Sequence, residues 1–439
     1  MAELNEAQAR ELLNKALKMS KAEHFEMNIG GNVGGNIRYA RNTVSTAGAT
    51  QDRNLAVQSF FGKRSGVATA NQFDDETIER AIRRSEELAQ LAPDDPESVN
   101  PLEPQTYTPV PAAYADATAK IDPDYRAALA EKSIGPAKAK GCVAAGFLQD
   151  GSGWQAMANT TGLFAYHRST NLNFSVTMRT EDATGSGYVE RDYNDAAKFD
   201  GALSSQIAVD KAVASREAKA IEPGKYTVIM EPTALVELLQ PLVFGMDARS
   251  ADEGRSPLSK AGGGTKVGDK LVSDQVSIWS DPTNPDVPTS PWGNDGRPYE
   301  KTHWIENGVV KNLYYSRYWA QKQGKPATPA PANIIMAGGN SSLDDLIKDT
   351  GRGILVTRFW YIRFVDPQTL LLTGLTRDGT FLIEDGKIKH AIKNMRFNES
   401  PIIMLNNVEA MGKPERIQGA LVPPLRLRDF TFTSLSDAV

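Results

Sequence analysis

Near the start of the chain apolar residues recur at helical spacing. Ala9, Leu12, Leu13, Ala16 and Leu17 share one face, and Asn5 with Gln8 three positions later forms a capping-box pattern, so the spacing predicts an N-terminal helix. Alternation then takes over. Phe25, Met27 and Ile29 point one way and His24, Glu26 and Asn28 the other, as in a half-buried strand. Ile37, Tyr39 and Arg41, then Leu55, Val57 and Ser59, predict two further strands of the same sheet. A second helix is expected over 75–91, with Asp74 as N-cap, Phe73 and Ile78 as a hydrophobic staple, and Ile78, Ala81, Ile82, Ser85 and Ala89 as its core stripe.

Prolines 93, 96, 101, 104, 109 and 111 then crowd together with acidic residues. Proline removes backbone donors and disfavours helix before it, so 93–113 reads as an extended, solvated linker between an N-terminal α/β module (1–92) and a middle α/β module (114–222). In the middle module a helix is expected around Tyr125 to Lys140. Leu172, Phe174, Val176 and Met178 alternate as a strand, with Leu163 to His167 as its antiparallel neighbour and a helix returning over 202–218.

Beyond Pro223-Gly224 the pattern becomes β-rich. Tyr226 to Met230 predicts a buried strand, and Leu235, Leu238, Leu239 and Leu242 one face of a short helix. Two segments echo each other, with Asn307-Gly308 and Asp385-Gly386 each set between apolar runs. Both dipeptides suit type I′ hairpins, whose central residues need positive φ. The hairpins are expected at the edge of one curved sheet. The fold class is therefore α+β: α/β modules followed by a largely antiparallel, barrel-like β domain over 223–439.

Composition narrows the chemistry. With 439 residues, 40% hydrophobic and 23% charged, the chain is an ordinary globular protein. The 49 basic and 54 acidic side chains leave a net charge of −5, so direct nucleic-acid binding is not expected. The N-terminal residues lack a signal-peptide pattern and no long apolar run occurs, so a cytoplasmic protein without a membrane span is expected. One cysteine, Cys142, excludes an internal disulfide and any CxxC motif. Four scattered histidines, His24, His167, His303 and His390, form no HExxH or HExxxH string, and each reads as a surface residue rather than a ligand. Cys142 reads as a core residue. Gly262-Gly263-Gly264 lacks the phosphate-loop frame and reads as a surface loop. The run Arg358 to Phe364 interleaves arginines with aromatics. If Arg358, Trp360 and Ile362 share a face, charge and stacking could hold a peptide or another anion-bearing ligand, the alternative being an ordinary strand with a buried aromatic side and arginines lying outward.

The order of several short motifs resembles the TldD/PmbA (TldD/TldE) family, historically described as modulators of DNA gyrase. They are Asn36 to Asn42 and Gly62 to Ala68 in the first module, then Ser256-Pro257-Leu258 through Gly268 to Asp281-Pro282, Asn294-Asp295-Gly296, Ile305 to Gly308, Ser342 to Ile347, Gly353 to Thr357, and Phe381 to Ile388. The resemblance implies a cytosolic dimer of two homologous subunits. One carries zinc on an HExxxH helix with a distant cysteine and cleaves small or unfolded peptides; the other lacks the ligands.

This chain departs at each metal position. Gln240 and Gly245 stand where the histidines would be, Pro241 where the glutamate would be, and Arg377 near the cysteine position. Glutamine is a poor zinc ligand, glycine is none, and arginine repels a dication. The resemblance thus implies no cofactor in this chain, zinc on a homologous TldD-like partner, and a non-catalytic role in a peptidase heterodimer. Asp295, Gly296, Arg358, Trp360 and Arg363 are the candidate peptide-binding residues. A stand-alone homodimer that binds peptides or a client without cutting them is the alternative.

Overall fold

The computed structural model describes residues 3–436. Its first half rests on six strands: β1 (His24–Ala40), β2 (Thr43–Phe61), β3 (Arg64–Ala70), β4 (Cys142–Asn159), β5 (Phe164–Thr180) and β6 (Ser186–Tyr193). They form one antiparallel sheet in the order β3-β2-β1-β4-β5-β6. The two α/β modules are halves of this sheet, because β1 and β4 pair from Glu26 with Asn159 to Tyr39 with Gly146. The proline-rich segment is not a free linker either. It lies along the protein with Pro101 and Val110 buried, and the Leu102 carbonyl accepts from Asn159 Nδ2 at 2.8 Å and from the Thr161 hydroxyl. Proline content dictates extended backbone but not whether that backbone is packed.

Two pairs of expected strands fuse. Phe25 to Ile29 and Ile37 to Tyr39 lie in one 17-residue strand, which Gly30-Gly31 and Gly34-Gly35 interrupt in pattern but not in backbone. Gly35 is required by packing: a Cβ there would sit 2.3 Å from the Arg126 guanidinium carbon. Leu163 to His167 likewise leads into the same strand as Leu172 to Met178 rather than pairing with it.

The helices Glu6–Met19 and Asp75–Leu91 match their expected spans, including the capping box of Asn5 with Gln8 and the Asp74 cap on Thr77. They bury Leu13, Ile78 and Ile82 against Met27, Ile29, Leu55 and Val57. Farther along the same face, the helices Pro123–Ala139 and Gly201–Ala214 cover Ile37, Leu148, Phe174 and Val176. Cys142 is fully buried in this core, and burial pushes its thiol pKa up. The opposite face carries Glu26, Asn28, Gln155 and His167 and meets the C-terminal domain, where Gln155 Nε2 donates to Ser290 Oγ at 2.9 Å.

That domain holds a nine-stranded and a six-stranded sheet around the helix Pro232–Phe244, whose Leu235, Leu238, Leu239 and Leu242 are buried in their shared core. The barrel-like expectation is corrected: neither sheet closes. The larger ends at Phe359–Asp366 and Lys387–Ala391, the smaller at Val309–Val310 and Glu415–Ile417. Both hairpins form, with positive φ at Asn307, Gly308, Asp385 and Gly386. They edge different sheets, not one, because a hairpin signal is local and carries no information about its neighbours.

Arg126 and Asp150 form a buried bidentate pair at 2.6 and 2.9 Å, with side chains 8% and 4% exposed. Replacing one member leaves the other charge uncompensated. Asp150→Ala should therefore lower unfolding free energy by about 3–5 kcal/mol in denaturant titration, and a loss under about 1 kcal/mol would contradict the pairing.

Candidate functional site

β6 is the outer strand of its sheet, and its residues alternate sharply in role. Val189 is buried in the helical core, and Gly187 lets the helix Gly201–Ala214 approach so closely that a Cβ would lie 2.2 Å from Ala208 O. Ser186, Tyr188, Glu190 and Asp192 face the other way, and each is engaged by the C-terminal domain. Ser186 Oγ donates to Asp378 Oδ1 at 2.5 Å. The Arg358 guanidinium lies 3.6 Å from the centre of the Tyr188 ring. Gln418 Nε2 donates to Glu190 Oε2 at 3.1 Å. Asp192 Oδ2 accepts from Arg416 Nε at 2.9 Å and from the Gly419 amide at 3.0 Å. Sequence reasoning passed over β6 altogether, although the alternation of Ser186, Tyr188, Glu190 and Asp192 with Gly187 and Val189 was there to find.

Arg358 is the hub. Its Nη1 is 2.7 Å from Asp378 Oδ2, the two side chains being 13% and 2% exposed. The cation also lies 4.8 Å from the Trp360 ring centre, so two aromatic faces and one carboxylate hold it. Arg377 reaches toward the same group, 5.0 Å from the Trp360 ring and 3.9 Å from Asp378.

The helix Pro232–Phe244 borders this cluster. Gln240 Nε2 donates to Gln418 Oε1 at 3.1 Å, extending the chain Gln240, Gln418, Glu190 and Tyr188. One turn earlier, burial pushes the Glu237 carboxyl up to about 7, with Arg358 opposing and Glu190 adding to the rise. Gly245 caps the helix, where a Cβ would crowd Pro241 O at 2.6 Å. The donor set does not fit a zinc ion. Gln240 is committed to Gln418, two guanidiniums occupy the neighbourhood, and among the described residues no three His, Cys, Asp or Glu side chains converge.

The other candidate residues scatter. Arg358 stacks on Trp360 as the shared face requires, but the alternation does not carry on to Ile362, because the register of the strand Phe359–Asp366 shifts after Trp360 and Tyr361 has φ 57°. Arg363 stacks 4.1 Å from the Tyr361 ring and lines a groove of about 490 Å³ with Glu237, Gln240, Pro241, Phe244 and Phe364. Asp295 pairs with Arg297 at 2.7 Å, and Gly296 O accepts from Tyr107 at 2.7 Å, so this turn pins the C-terminal domain to the first half. His167 is buried at 8% exposure rather than on the surface.

Three family models match the chain: the PmbA/TldA metallopeptidase domain 1 over residues 30–89, the central domain over 114–216, and the C-terminal domain over 223–434. The chain belongs to the PmbA/TldD family. The Metalloprotease TldD homolog of Buchnera aphidicola is 22% identical over 82% of this chain and 79% of its own. A metalloprotease of Methanothermobacter thermautotrophicus is 26% identical over 47% of each, so the alignment spans about half the length of that relative. In three dimensions the chain is similar to TldE of Thermococcus kodakarensis, with TM-score 0.87, 19% identity, and coverage of 97% of this chain and 100% of the other. A candidate modulator of DNA gyrase from Bacteroides thetaiotaomicron aligns with TM-score 0.86 at 19% identity, over 99% and 100% of the two chains.

The Glu237 carboxyl gives this site a pH signature. Its native pKa lies above the unfolded value, so the native state holds the proton more tightly and stability is lost as pH rises from about 4.5 through about 7. Glu237→Gln should match the parent near pH 4 and exceed its unfolding free energy at pH 8 by on the order of 2–3 kcal/mol. Denaturant titration at the two pH values checks this, and parallel profiles for the two proteins would refute it.

Proposed function

We propose that this chain is the metal-free, TldE-like subunit of a zinc metallopeptidase complex that cleaves small or unfolded peptides, acting in the cytosol beside a homologous zinc-bearing TldD-like subunit. The observation that carries the reading is what stands at the ligand positions. Gln240, Gly245 and Arg377 replace them, and the space beside them holds the Arg358–Asp378 ion pair. The metalloprotease-named relatives support the proteolytic setting. No helix among the described residues is long and apolar enough to cross a membrane.

The strand Phe359–Asp366 supports an assembly role. It is the outer strand of the nine-stranded sheet, and it exposes Trp360 at 42%, Tyr361 at 61%, Phe364 at 56% and Val365 at 53%. Solvent-facing aromatics on an open strand edge suit pairing with a partner subunit or an extended peptide. A homodimer that captures peptides without cutting them would use the same edge.

Mixing the purified chain with a zinc-bearing family member should give a complex in sizing experiments, and hydrolysis of a denatured protein substrate only in the mixture. Cleavage by the chain alone would contradict the proposal, and a homodimer that binds peptides and ignores the family member would favour the second reading. Tyr361→Asp with Phe364→Asp should weaken the complex by roughly tenfold or more while leaving the melting temperature within about 2 °C.

A further inference from the structure

A second cleft, of about 510 Å³, lies between the first-half sheet and the C-terminal domain. Its floor is the helix-free face of the sheet. Strand register sets two rows across β2, β1, β4 and β5: Asn54, Gly30, Gln155 and His167, then Asp52, Asn32, Gly153 and Ser169. The glycines Gly30 and Gly153 keep the middle of the floor low, a strand feature associated with close approach of a ligand or another backbone. Thr289 and Ser290 of the C-terminal domain form one wall and Asn194 another.

Two buried polar atoms in this cleft lack any hydrogen-bond partner: His167 Nε2 and Asn194 Oδ1. The His167 side chain is 8% exposed, and its ring meets Trp292 edge-on at 6.0 Å. Asn194 is held in orientation because its Nδ2 donates to Ala113 O at 3.3 Å and Thr170 O at 2.9 Å, which leaves Oδ1 as an open acceptor. Buried polar groups without partners are uncommon in native proteins and carry a desolvation penalty. A bound molecule that supplies the missing partners removes it.

The chemistry of that molecule can be narrowed. Burial holds the His167 pKa down at about 4, so the imidazole is neutral at ordinary pH. The charged residues of the lining, Asp52 and Arg53, are both on β2, and the lining from β1, β4 and β5 around His167 offers amides, hydroxyls and backbone. An anion beside His167 would lose hydration with no cationic side chain from β1, β4 or β5 in the lining to meet it. A sugar would want a free aromatic face. Trp154, at the edge of the cleft, is 7% exposed and stacks on Tyr166 at 6.5 Å. An extended peptide backbone, neutral and alternating donor with acceptor, matches a flat, amide-rich, glycine-floored trough.

We propose that this cleft is a peptide-binding subsite, separate from the groove beside Gln240, that holds an uncharged extended segment through His167 Nε2 and Asn194 Oδ1. It rests on the peptide-handling reading above, and its test is binding by the chain alone. Calorimetry with an acetylated and amidated tetraserine peptide should show saturable binding, and the His167 imidazole resonances should move on titration. His167→Leu should weaken binding roughly tenfold or more without lowering the melting temperature, because it removes an unpartnered buried polar group. Ser169→Phe, which fills the trough from a partly exposed position, should do the same. Absence of binding by the parent chain, equal binding by the variants, or preference for a neutral oligosaccharide would overturn the proposal. Peptide binding here without cleavage in the mixed complex would instead overturn the subunit reading and leave the cleft standing.

Discussion

The Arg358–Asp378 pair on the edge of β6 is the constraint on which the rest of the architecture turns. The first half is a single sheet with helices on one face, and the other face of β6 would present a row of polar side chains, Ser186, Tyr188, Glu190 and Asp192, to solvent if nothing met it. The C-terminal domain meets it residue by residue, with Asp378 on Ser186, Arg358 on Tyr188, Gln418 on Glu190 and Arg416 on Asp192. A carboxylate 2% exposed is tolerable only with a full set of partners, and Asp378 has a guanidinium and a hydroxyl. The same contacts fix how the helix Pro232–Phe244 faces the first half, and so where Glu237 and Gln240 sit.

This arrangement bears on the proposed absence of zinc. A metal site that had only lost its histidines would leave a polar hollow that water or ions could fill. Here the neighbourhood is occupied from within: Gln240 joins a chain of hydrogen bonds to Glu190, and the Arg358 cation sits between two aromatic rings. A dication would have to displace or approach a guanidinium held by Asp378, against both Coulomb repulsion and the loss of a buried pair. The polar network ties the helix Pro232–Phe244 to β6 through Gln418 and Glu190.

Much of the fold was legible because it is local. Asn5 with Gln8, Asp74 before its helix, and the Asn307-Gly308 and Asp385-Gly386 turns act within a few residues, and each forms as read. What sequence alone missed depends on distant partners. The expected strands at Phe25 to Ile29 and Ile37 to Tyr39 are one strand, whose glycines between them, Gly30-Gly31 and Gly34-Gly35, let Asn54, Trp154, Asp150 and Arg126 approach it. The polar face of β1 looked solvated, yet Glu26 lies near Asp295 and Arg317 of the other domain. Arg358 was noticed for its aromatic company, but its partner Tyr188 is 170 positions away in a strand whose alternation went unread. His167 looked like a surface residue because alternation reports which face a side chain occupies, not what later covers that face.

The central claim is that the family's zinc position in this chain is taken by its own side chains. Zinc content per chain, measured by elemental analysis after dialysis against excess zinc and then buffer, tests it most directly. The account predicts well under about 0.1 zinc per chain, unchanged by Gln240→Ala, because among the described residues no set of three ligands converges there. One zinc per chain that is lost on substituting Gln240 or Glu237 would contradict it.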